Sequence, residues 1–294
     1  MELVDKLSNR QYIDGEWVES SNKNTRDIIN PYNQETIFTV AEGTKEDVER
    51  AILAARRSFE DGEWSLETSE VRGKKVRAVA DKIKENREEL AKLETLDTGK
   101  TLEESYADMD DIHNVFMYFA GLADKDGGEI INSPIPNAES KVVKEPVGVV
   151  TQITPWNYPL LQASWKIAPA LATGCSLVMK PSEITPLTTI RVFELMEEVG
   201  FPKGTINLVL GAGSEVGDVM SGHEEVDLVS FTGGIETGKH IMKQAANHVT
   251  DVALELGGKN PNIIFDDADF ELAVDQALNG GYFHAGQVCS AGSR

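Results

Sequence analysis

Apolar runs and helical periodicity alternate through the second half of the chain. The β-branched run VGVVTQIT, residues 147–154, predicts a buried strand, and the spacing after it predicts a helix from Pro159 to about Thr173. Such alternation is typical of a mostly parallel sheet with helices on both faces. The pattern predicts an α/β fold with a doubly wound sheet, which binds ligands at the carboxyl ends of its strands. Further strands are expected at 176–180, 206–210, 226–232 and 251–256, with helices at 186–199, 214–221 and 235–248.

The first half of the chain is predicted to be mainly helical. The stretch TKEDVERAILAARRSFED begins with a Thr-x-x-Asp capping signal and predicts a helix over 44–61. A longer helix is predicted over 67–96, ending at the turn DTGK, and a third over 101–123. A short strand pair is expected around QYIDGEWVES, and residues 124–147 predict a loop with an exposed hairpin arm. Near the other end, NIIFDDAD, residues 262–269, and the helix after it predict the start of another α/β unit.

Charge and composition narrow the classes of function. The 294 residues include 28 basic and 49 acidic ones, a net charge of −21, which disfavours binding to nucleic acid or to an anionic membrane surface. The sequence has no apolar run of about 18 residues that could span a membrane. The polar N-terminus lacks a signal region, so a cytoplasmic location is expected. Two cysteines are too few for a disulfide framework, and the five histidines are scattered, so no metal site is expected.

Two predicted strand ends carry polar side chains that could bind a substrate or a nucleotide. Asn157 follows the first strand of the sheet, and its amide could donate a hydrogen bond to an oxyanion. Lys180 and Glu183 follow the next strand, where an ammonium and a carboxylate could grip the hydroxyls of a ribose. Ordinary local structure also explains both: a Pro-rich turn around Asn157, and a helix-start cap formed by Ser182 and Glu183.

Two glycine-rich turns, LGAGSEVG and FTGGIETGK, each follow a predicted strand and open a helix. Backbone N–H groups at such a helix start can bind a phosphate. The spacing of Gly211, Gly213 and Gly217 misses the dinucleotide fingerprint by one residue. Residues 233–239 resemble a nucleoside-triphosphate loop, but His240 follows where Ser or Thr would bind magnesium. A nucleotide hydrolase is therefore a weak alternative.

Glu255 and Cys289 are the candidate general base and nucleophile. Glu255 ends a predicted strand in LELGGKNP, where a buried carboxylate could take a proton from water. Cys289 has small neighbours in GQVCS, where a substrate could reach a thiolate. Each has a simpler interpretation, because a lone Glu is usually solvated and a lone Cys usually fills a core, as Cys175 is expected to do.

The segments PWNYP, KPSE, FTGG, LELGGKNP and GQVCS occur in the order and at about the spacing found in the aldehyde dehydrogenase superfamily. The resemblance extends over essentially the whole chain, from INPYNQE and LETLDTGK to GQVCSAGSR, and is strongest to the betaine-aldehyde dehydrogenases. It implies a Rossmann-like NAD-binding domain at 1–123 and 148–257, an oligomerisation arm at 124–147, and an incomplete catalytic domain at 258–294. Family members continue well past the cysteine segment. The chain is therefore expected to be an N-terminal portion of a homo-oligomeric enzyme, a dimer or tetramer.

The resemblance also assigns roles to individual residues, in the NAD-dependent oxidation of an aldehyde, betaine aldehyde in particular, to its acid. The catalytic residues would be Cys289 as nucleophile, Glu255 as general base, Asn157 as oxyanion donor and Lys166 as a supporting charge. Aromatic side chains would surround a trimethylammonium group: Tyr158, Trp165 and Phe283. The cofactor would be held by Ile153, Thr154, Pro155, Trp156, Lys180, Ser182, Glu183, Gly213, Gly217, Phe231, Thr232, Gly233, Gly234, Leu256 and Gly257. The family usually has a small polar residue at the position of Gly234, so one pyrophosphate contact is expected to be missing. The alternative is a fragment that binds a dinucleotide or a partner protein without catalysis.

Overall fold

The computed structural model describes residues 3–125 and 127–294, so residues 1, 2 and 126 lie outside the description that follows. The strands are β1 (Gln11–Ile13), β2 (Glu16–Val18), β3 (Thr25–Ile29), β4 (Thr36–Ala41), β5 (Glu129–Ile131), β6 (Ser140–Val142), β7 (Val149–Ile153), β8 (Ser176–Lys180), β9 (Ile206–Leu208), β10 (Leu228–Gly233) and β11 (Asp251–Leu256). The helices are α1 (Lys45–Asp61), α2 (Ser69–Glu85), α3 (Arg87–Thr98), α4 (Leu102–Leu122), α5 (Pro159–Thr173), α6 (Leu187–Val199), α7 (Gly213–Gly222), α8 (Ile235–Ala245) and α9 (Phe270–Tyr282). A short 3₁₀ turn, Phe283–Gly286, follows the last helix.

Seven of the strands form one sheet, in the order β11-β10-β7-β8-β9-β1-β2. The five strands from β7 to β11 are parallel, and the hairpin of β1 and β2 extends one edge in the antiparallel sense. The mostly parallel sheet is therefore confirmed. The chain proceeds from β7 outward through β8 and β9 on one side and returns to place β10 and β11 on the other. This reversal opens a crevice at the carboxyl ends of β7 and β10, where such sheets bind ligands.

Helices bury apolar side chains against both faces of this sheet. On one face Val150 and Leu177 pack in a core with Phe116 of α4 and Phe193 of α6. On the other face Val149, Val178 and Val229 pack with Ile52 of α1 and Ile241 of α8. Alternate residues of a strand point to opposite faces, which explains why these strands are apolar throughout. The doubly wound arrangement is confirmed.

The first helix begins as its sequence predicts. Thr44 is the N-cap of α1, with its hydroxyl accepting the N–H of Asp47 while the Asp47 carboxylate accepts the N–H of Thr44. Gly62 ends the helix at φ 82°, a left-handed conformation that costs glycine little.

The prediction of one long helix over 67–96 is wrong. The structure has two helices, α2 and α3, separated by Asn86, whose backbone departs from helical geometry at φ −103° and ψ 17°. The Asn86 side-chain amide donates to the carbonyl of Lys82 at 2.8 Å. Asn side chains compete in this way with the helical hydrogen-bond ladder, and apolar periodicity does not record that competition.

Two further segments differ in regularity from the main sheet. Residues 124–147 contain the expected hairpin, because β5 and β6 pair antiparallel and form a separate two-stranded sheet. The segment 262–269 was expected to open another α/β unit, but it contains no strand, and regular structure resumes only at α9. From residue 257 to the end of the chain, only His284 and Ala291 are buried.

Candidate active site

Asn157 and the segment that carries Cys289 meet at the carboxyl edge of the sheet. Asn157 lies between β7 and α5, and its Nδ2 donates to the backbone carbonyl of Gln287 at 2.7 Å. Asn260 fixes the same segment from the other side, with its Nδ2 donating to the carbonyl of Cys289 at 2.8 Å. Cys289 is exposed, whereas Cys175 is buried in the core as expected. The Asn157 amide therefore binds the same short segment that presents the exposed Cys289 thiol.

Buried side chains pack around Tyr158, the residue that follows Asn157. The rings of Tyr158 and His284 meet edge to face at a centroid distance of 5.3 Å, and the backbone N–H of His284 donates to the Glu104 carboxylate at 2.8 Å. The ammonium of Lys100 lies 3.7 Å from the centroid of the Tyr158 ring and also pairs with Asp108. One face of Tyr158, which was expected to contact a substrate cation, is thus taken by a cation of the protein itself.

His284 is neutral in this setting. Burial, and then the charge of Lys100, lower the pKa of its imidazole below the ordinary value. Burial likewise raises the pKa of the Tyr158 hydroxyl, so that side chain stays protonated as well. No motif in the sequence singles out Lys100, Glu104 or His284. The only available signal was the position of Lys100 in the DTGK turn and of His284 five residues before Cys289.

Lys166 and Glu255 form a second group on the same side of the sheet. Lys166 is buried on α5, and its Nζ donates to the hydroxyl of Ser230 on β10 at 3.0 Å. Burial lowers the pKa of Lys166 to about 8, and the nearby negative charge of Glu255 opposes that shift. Glu255 itself is exposed near the end of β11, so the burial that would strengthen it as a base does not come from the residues that the structure describes.

Lys180 and Glu183, which were expected to grip the hydroxyls of a ribose, form an ion pair at the end of β8. Lys180 Nζ donates to the carbonyl of Pro181 at 2.9 Å and to Glu183 Oε2 at 3.1 Å. Burial lowers the pKa of Lys180, and the Glu183 carboxylate opposes that effect. Burial pushes the pKa of Glu183 upward, but Lys180 and backbone donors, including the N–H of Gly213, outweigh it, so the net pKa is lowered. The structure thus offers an ammonium donor and an ionised carboxylate acceptor side by side.

The glycine turn between β10 and α8 leaves an open helix start. Gly234 is the N-cap of α8, and no side chain caps the helix. A Cβ atom built on Gly213, Gly217 or Gly234 would meet no atom within 4 Å, so the space next to all three is free. Uncapped N–H groups at a helix start favour a phosphate group.

The nucleoside-triphosphate loop does not form in this segment. Lys239 lies within α8 and pairs with Glu236 at 2.7 Å, one turn earlier on the same helix. His240 pairs with Asp218 of α7 at 2.7 Å. The segment is a strand followed at once by a helix, so it leaves no loop to wrap around a triphosphate, and the hydrolase alternative loses its support.

The residues expected to hold a dinucleotide lie along the carboxyl edge of the sheet and at the helix starts beside it. Thr154, at the end of β7, keeps a buried hydroxyl without a hydrogen-bond partner among the described residues. Trp156, two residues later, is exposed at the same edge. The remaining residues expected at the cofactor site share the carboxyl edge of the parallel strands or the first turns of α7: Ile153, Pro155, Ser182, Phe231, Thr232, Gly233, Leu256, Gly257 and Gly217.

A groove beside α4 and α5 combines aromatic rings with a carboxylate. It has a volume of about 480 Å³, and Asp111, Tyr118 and Trp165 lie on its wall. Phe283, the third aromatic residue expected to contact substrate, is half-exposed near Cys289 in the chain and does not line this groove. Asp111 was not predicted to contact a substrate, although it lies in the acidic run DMDD on α4.

Metal and membrane sites receive no support from the part of the chain that is described. Within residues 3–125 and 127–294, no group of three or more His, Cys, Asp or Glu side chains is placed to hold a metal ion. None of the helices in those ranges is both long and apolar enough to cross a bilayer.

The chain is similar in sequence and in fold to known proteins. The chain is 67% identical over 288 residues to betaine aldehyde dehydrogenase of Bacillus subtilis, a match that covers 98% of this chain and 59% of that protein. Identity to betaine aldehyde dehydrogenase 1 of Oryza sativa is 48%, over 96% of this chain and 57% of the relative. The crystal structure of betaine aldehyde dehydrogenase from Staphylococcus aureus, in complex with NAD+, superposes with a TM-score of 0.99 at 90% identity, covering 100% of this chain and 58% of that one.

The chain therefore spans less than two thirds of the length of these relatives. The family model for the aldehyde dehydrogenase family matches residues 17–294, a range that contains the Asn157 turn, the glycine turn and the cysteine segment. Fold, site geometry and sequence similarity lead to one conclusion: this chain belongs to the aldehyde dehydrogenase family.

Proposed function

We propose that these residues carry out the NAD-dependent oxidation of an aldehyde to its carboxylic acid, with the cationic betaine aldehyde as substrate. Because the chain covers 58% of the solved relative, the proposal concerns a polypeptide of the relatives' length that contains this sequence. One observation carries it above all. The Asn157 amide donates to the Gln287 carbonyl at 2.7 Å and so holds a hydrogen-bond donor beside the segment that presents the exposed Cys289.

The chemistry begins at Cys289. Its thiolate attacks the aldehyde carbon, a C–S bond forms, and the carbonyl electron pair moves to oxygen. The second N–H of the Asn157 amide and the backbone N–H of Cys289 donate to this oxyanion. Bound NAD supplies the acceptor for the hydride that leaves the same carbon, and a thioester on Cys289 remains.

Hydrolysis of the thioester completes the reaction. Glu255 takes a proton from water, the resulting hydroxide attacks the thioester carbon, and the C–S bond breaks to release the acid and the Cys289 thiolate. Lys166 lies close enough to Glu255 for the carboxylate to oppose the lowering of the Lys166 pKa. Glu255 is exposed, so it is free to accept water at the open edge of the sheet.

The cofactor site fits NAD in particular. Lys180 and Glu183 would donate to and accept from the ribose hydroxyls, and the ionised Glu183 would repel a 2′-phosphate. The uncapped start of α8 would hold the pyrophosphate through backbone N–H groups, without a side-chain contact at Gly234. The Staphylococcus aureus relative was crystallised with NAD+, which supports the same assignment here.

The groove of Asp111, Tyr118 and Trp165 supports a cationic aldehyde. A trimethylammonium group is attracted to an aromatic face by about 0.5–2 kcal/mol per ring, and a carboxylate nearby adds long-range attraction. The names of the relatives specify betaine aldehyde and aminoaldehydes, both of which carry a cationic nitrogen.

The domain boundaries and assembly belong to the same proposal. Residues 1–123 and 148–257 would form the cofactor domain, residues 258–294 would begin the catalytic domain, and the hairpin arm at 124–147 would join subunits of a dimer or tetramer. The exposed Ile130 and Val143 of that arm, at 82% and 71%, are suited to an interface. Both cysteines are free thiols, which supports a cytoplasmic location.

The test uses a polypeptide in which residues 1–294 are continued by the remaining part of the Staphylococcus aureus relative. With NAD and betaine aldehyde it should produce NADH, followed by absorbance, and Cys289→Ala should abolish production. Cys175→Ala removes the buried thiol and is the matched control, so it should retain activity. NADH production that survives Cys289→Ala would refute the mechanism. Cofactor binding without turnover would favour the alternative of a binding fragment.

A further inference from the structure

The charges at the amino end of α7 extend beyond the Lys180–Glu183 pair. Arg26 on β3 forms a two-point ion pair with Glu42, which follows β4: its Nε and Nη2 donate to the two carboxylate oxygens at 2.5 and 2.6 Å. Glu42 Oε1 also accepts the backbone N–H of Ala212, the N-cap of α7, at 3.1 Å. Glu183 receives the next N–H, that of Gly213. The same helix start thus holds both carboxylates.

Arg26 and Glu42 are electrostatically coupled to the Lys180–Glu183 pair. The hydrogen bond to Glu42 raises the pKa of Arg26, and the charge of Glu183 adds to that rise. Burial is the main cause of the lowered pKa of Lys180, but Glu42 and Arg26 are both close enough to change it. Each cation in this cluster therefore has a carboxylate partner, and the charges of the two pairs balance.

The Arg26–Glu42 pair is also accessible to a ligand. Both side chains line an open cavity of about 530 Å³, together with Lys23, Asn24 and Thr25. About a third of the Arg26 side chain and a fifth of the Glu42 side chain are exposed, at 34% and 20%. A phosphate group in this cavity could therefore contact the pair without displacing the protein core.

We propose that the Arg26–Glu42 ion pair is a second determinant of cofactor choice, in which Glu42 prevents Arg26 from binding the 2′-phosphate of NADP. The inference rests on the proposed binding of NAD at Lys180 and Glu183. A guanidinium binds carboxylates and phosphates with the same planar, two-point geometry, so Glu42 occupies the donors that a phosphate would use. Glu42 also adds its negative charge to that of Glu183, and both repel a phosphate.

Glu42→Gln is the informative substitution. The amide oxygen can still accept the N–H of Ala212, while the negative charge and the strong hold on Arg26 are lost. Dissociation constants for NAD and NADP are measured by calorimetry on the unaltered chain and on the variant. We expect E42Q to tighten NADP binding about tenfold and to change NAD binding less than about twofold. Because the gain is electrostatic, it should shrink when salt is raised to about 0.5 M.

Two controls separate this role from a structural one. E42Q combined with Arg26→Ala should lose the gain in NADP affinity, because the freed guanidinium is then absent. Asp110→Asn breaks a pair of the same two-point geometry, Arg87 with Asp110 at 2.6 Å, between α3 and α4, and should leave the ratio of the two affinities unchanged. Glu42→Ala is a second variant for the case that E42Q does not fold. It also removes the acceptor for the N–H of Ala212, and it should shift the ratio of NAD to NADP affinity in the direction expected for E42Q.

The outcomes distinguish the two proposals. If the unaltered chain binds NAD and the ratio does not change in either Glu42 variant, the inference is wrong and the proposed function stands. A gain that persists when Arg26 is also replaced would overturn the role of the guanidinium. If the unaltered chain does not bind NAD, the proposed function fails and the inference fails with it.

Discussion

Lys166 places a positive charge where solvent hardly reaches it. Burial lowers the pKa of its ammonium from 10.5 to about 8, and Glu255 opposes that shift. Between these two values the unfolded chain keeps a proton that the folded chain has lost. Stability rises with pH wherever the unfolded state binds more protons, so this residue makes the folded chain more stable as pH rises from 8 toward 10.5.

We predict that Lys166→Met removes this pH dependence. Below the folded pKa the buried charge costs roughly 2–4 kcal/mol of stability, and the Met side chain avoids that cost. The variant should therefore be more stable than the unaltered chain at neutral pH, and the difference should vanish as pH approaches 10.5. Urea unfolding at a series of pH values measures it. Lys166→Arg, which stays charged throughout, is the control. An advantage of Met that is independent of pH would contradict the prediction.

Sequence motifs predicted those site residues that lie in short, distinctive segments of the chain. Asn157 and the Lys180–Glu183 pair could be named because each lies at a predicted strand end, and Cys289 because it has small neighbours in GQVCS. Lys100 could not, since a lysine in a turn is usually solvated, whereas its side chain is fully buried against Asp108. Its burial depends on how α4 packs against α5. That packing cannot be inferred from a single sequence, so the contact could not be predicted.

At the scale of the element, the start of α1 joins the helix to the loop after β2. The Asp47 carboxylate accepts the N–H of Thr44 at 3.0 Å and the N–H of Ser21 at 3.1 Å. Thr44→Ala removes the hydroxyl that accepts the N–H of Asp47, so we predict a loss of about 1 kcal/mol in the free energy of unfolding. Urea denaturation measures the loss. Thr44→Ser keeps the hydroxyl and should be near neutral, and an equal loss in both variants would show that the cap is not the cause.

Periodicity predicted the central elements well. The strands at 176–180 and 251–256 and the helix from Pro159 to Thr173 have the bounds expected from the sequence. The strand at 176–180 is buried throughout and the helix is buried along most of its length, whereas the strand at 251–256 alternates between exposed and half-buried residues; in all three, the spacing of apolar residues predicts the element. The pattern failed at Asn86, where a side-chain hydrogen bond ends a helix, and at 262–269, where an apolar run forms no strand.

At the scale of the whole molecule, residues 257–294 are much more exposed to solvent than the central strands of the main sheet. All thirteen residues of α9 are described, and none of them is buried. Phe270 and Leu272 are exposed at 75% and 58%. Few buried contacts mean a low local stability, whereas β7 and β8 are buried at every position.

We predict that α9 amides in the 294-residue chain exchange hydrogen at least about 100-fold faster than those of β7 and β8. Exchange followed by mass spectrometry measures the difference. In the polypeptide continued by the Staphylococcus aureus relative, additional chain can cover the apolar side of α9. There its protection should rise by at least about tenfold while that of β7 and β8 stays the same. Equal protection of α9 and the central strands in the 294-residue chain would contradict the prediction.

The pairing of β1 with β9 cannot form until most of the chain has been synthesised. The side-chain carbonyl of Gln11 accepts the N–H of Leu210, a residue 199 positions later in the chain. A ribosome adding roughly 5–20 residues per second delivers that partner about 10–40 s after the first strand has been made. Until β7 and β8 have been made, α1 to α4 have no sheet to cover their apolar faces, and exposed apolar faces of this kind are the surfaces that chaperones bind. Distant pairing of this kind also slows folding, so the newly made chain stays open to aggregation and to proteases until its second half has emerged.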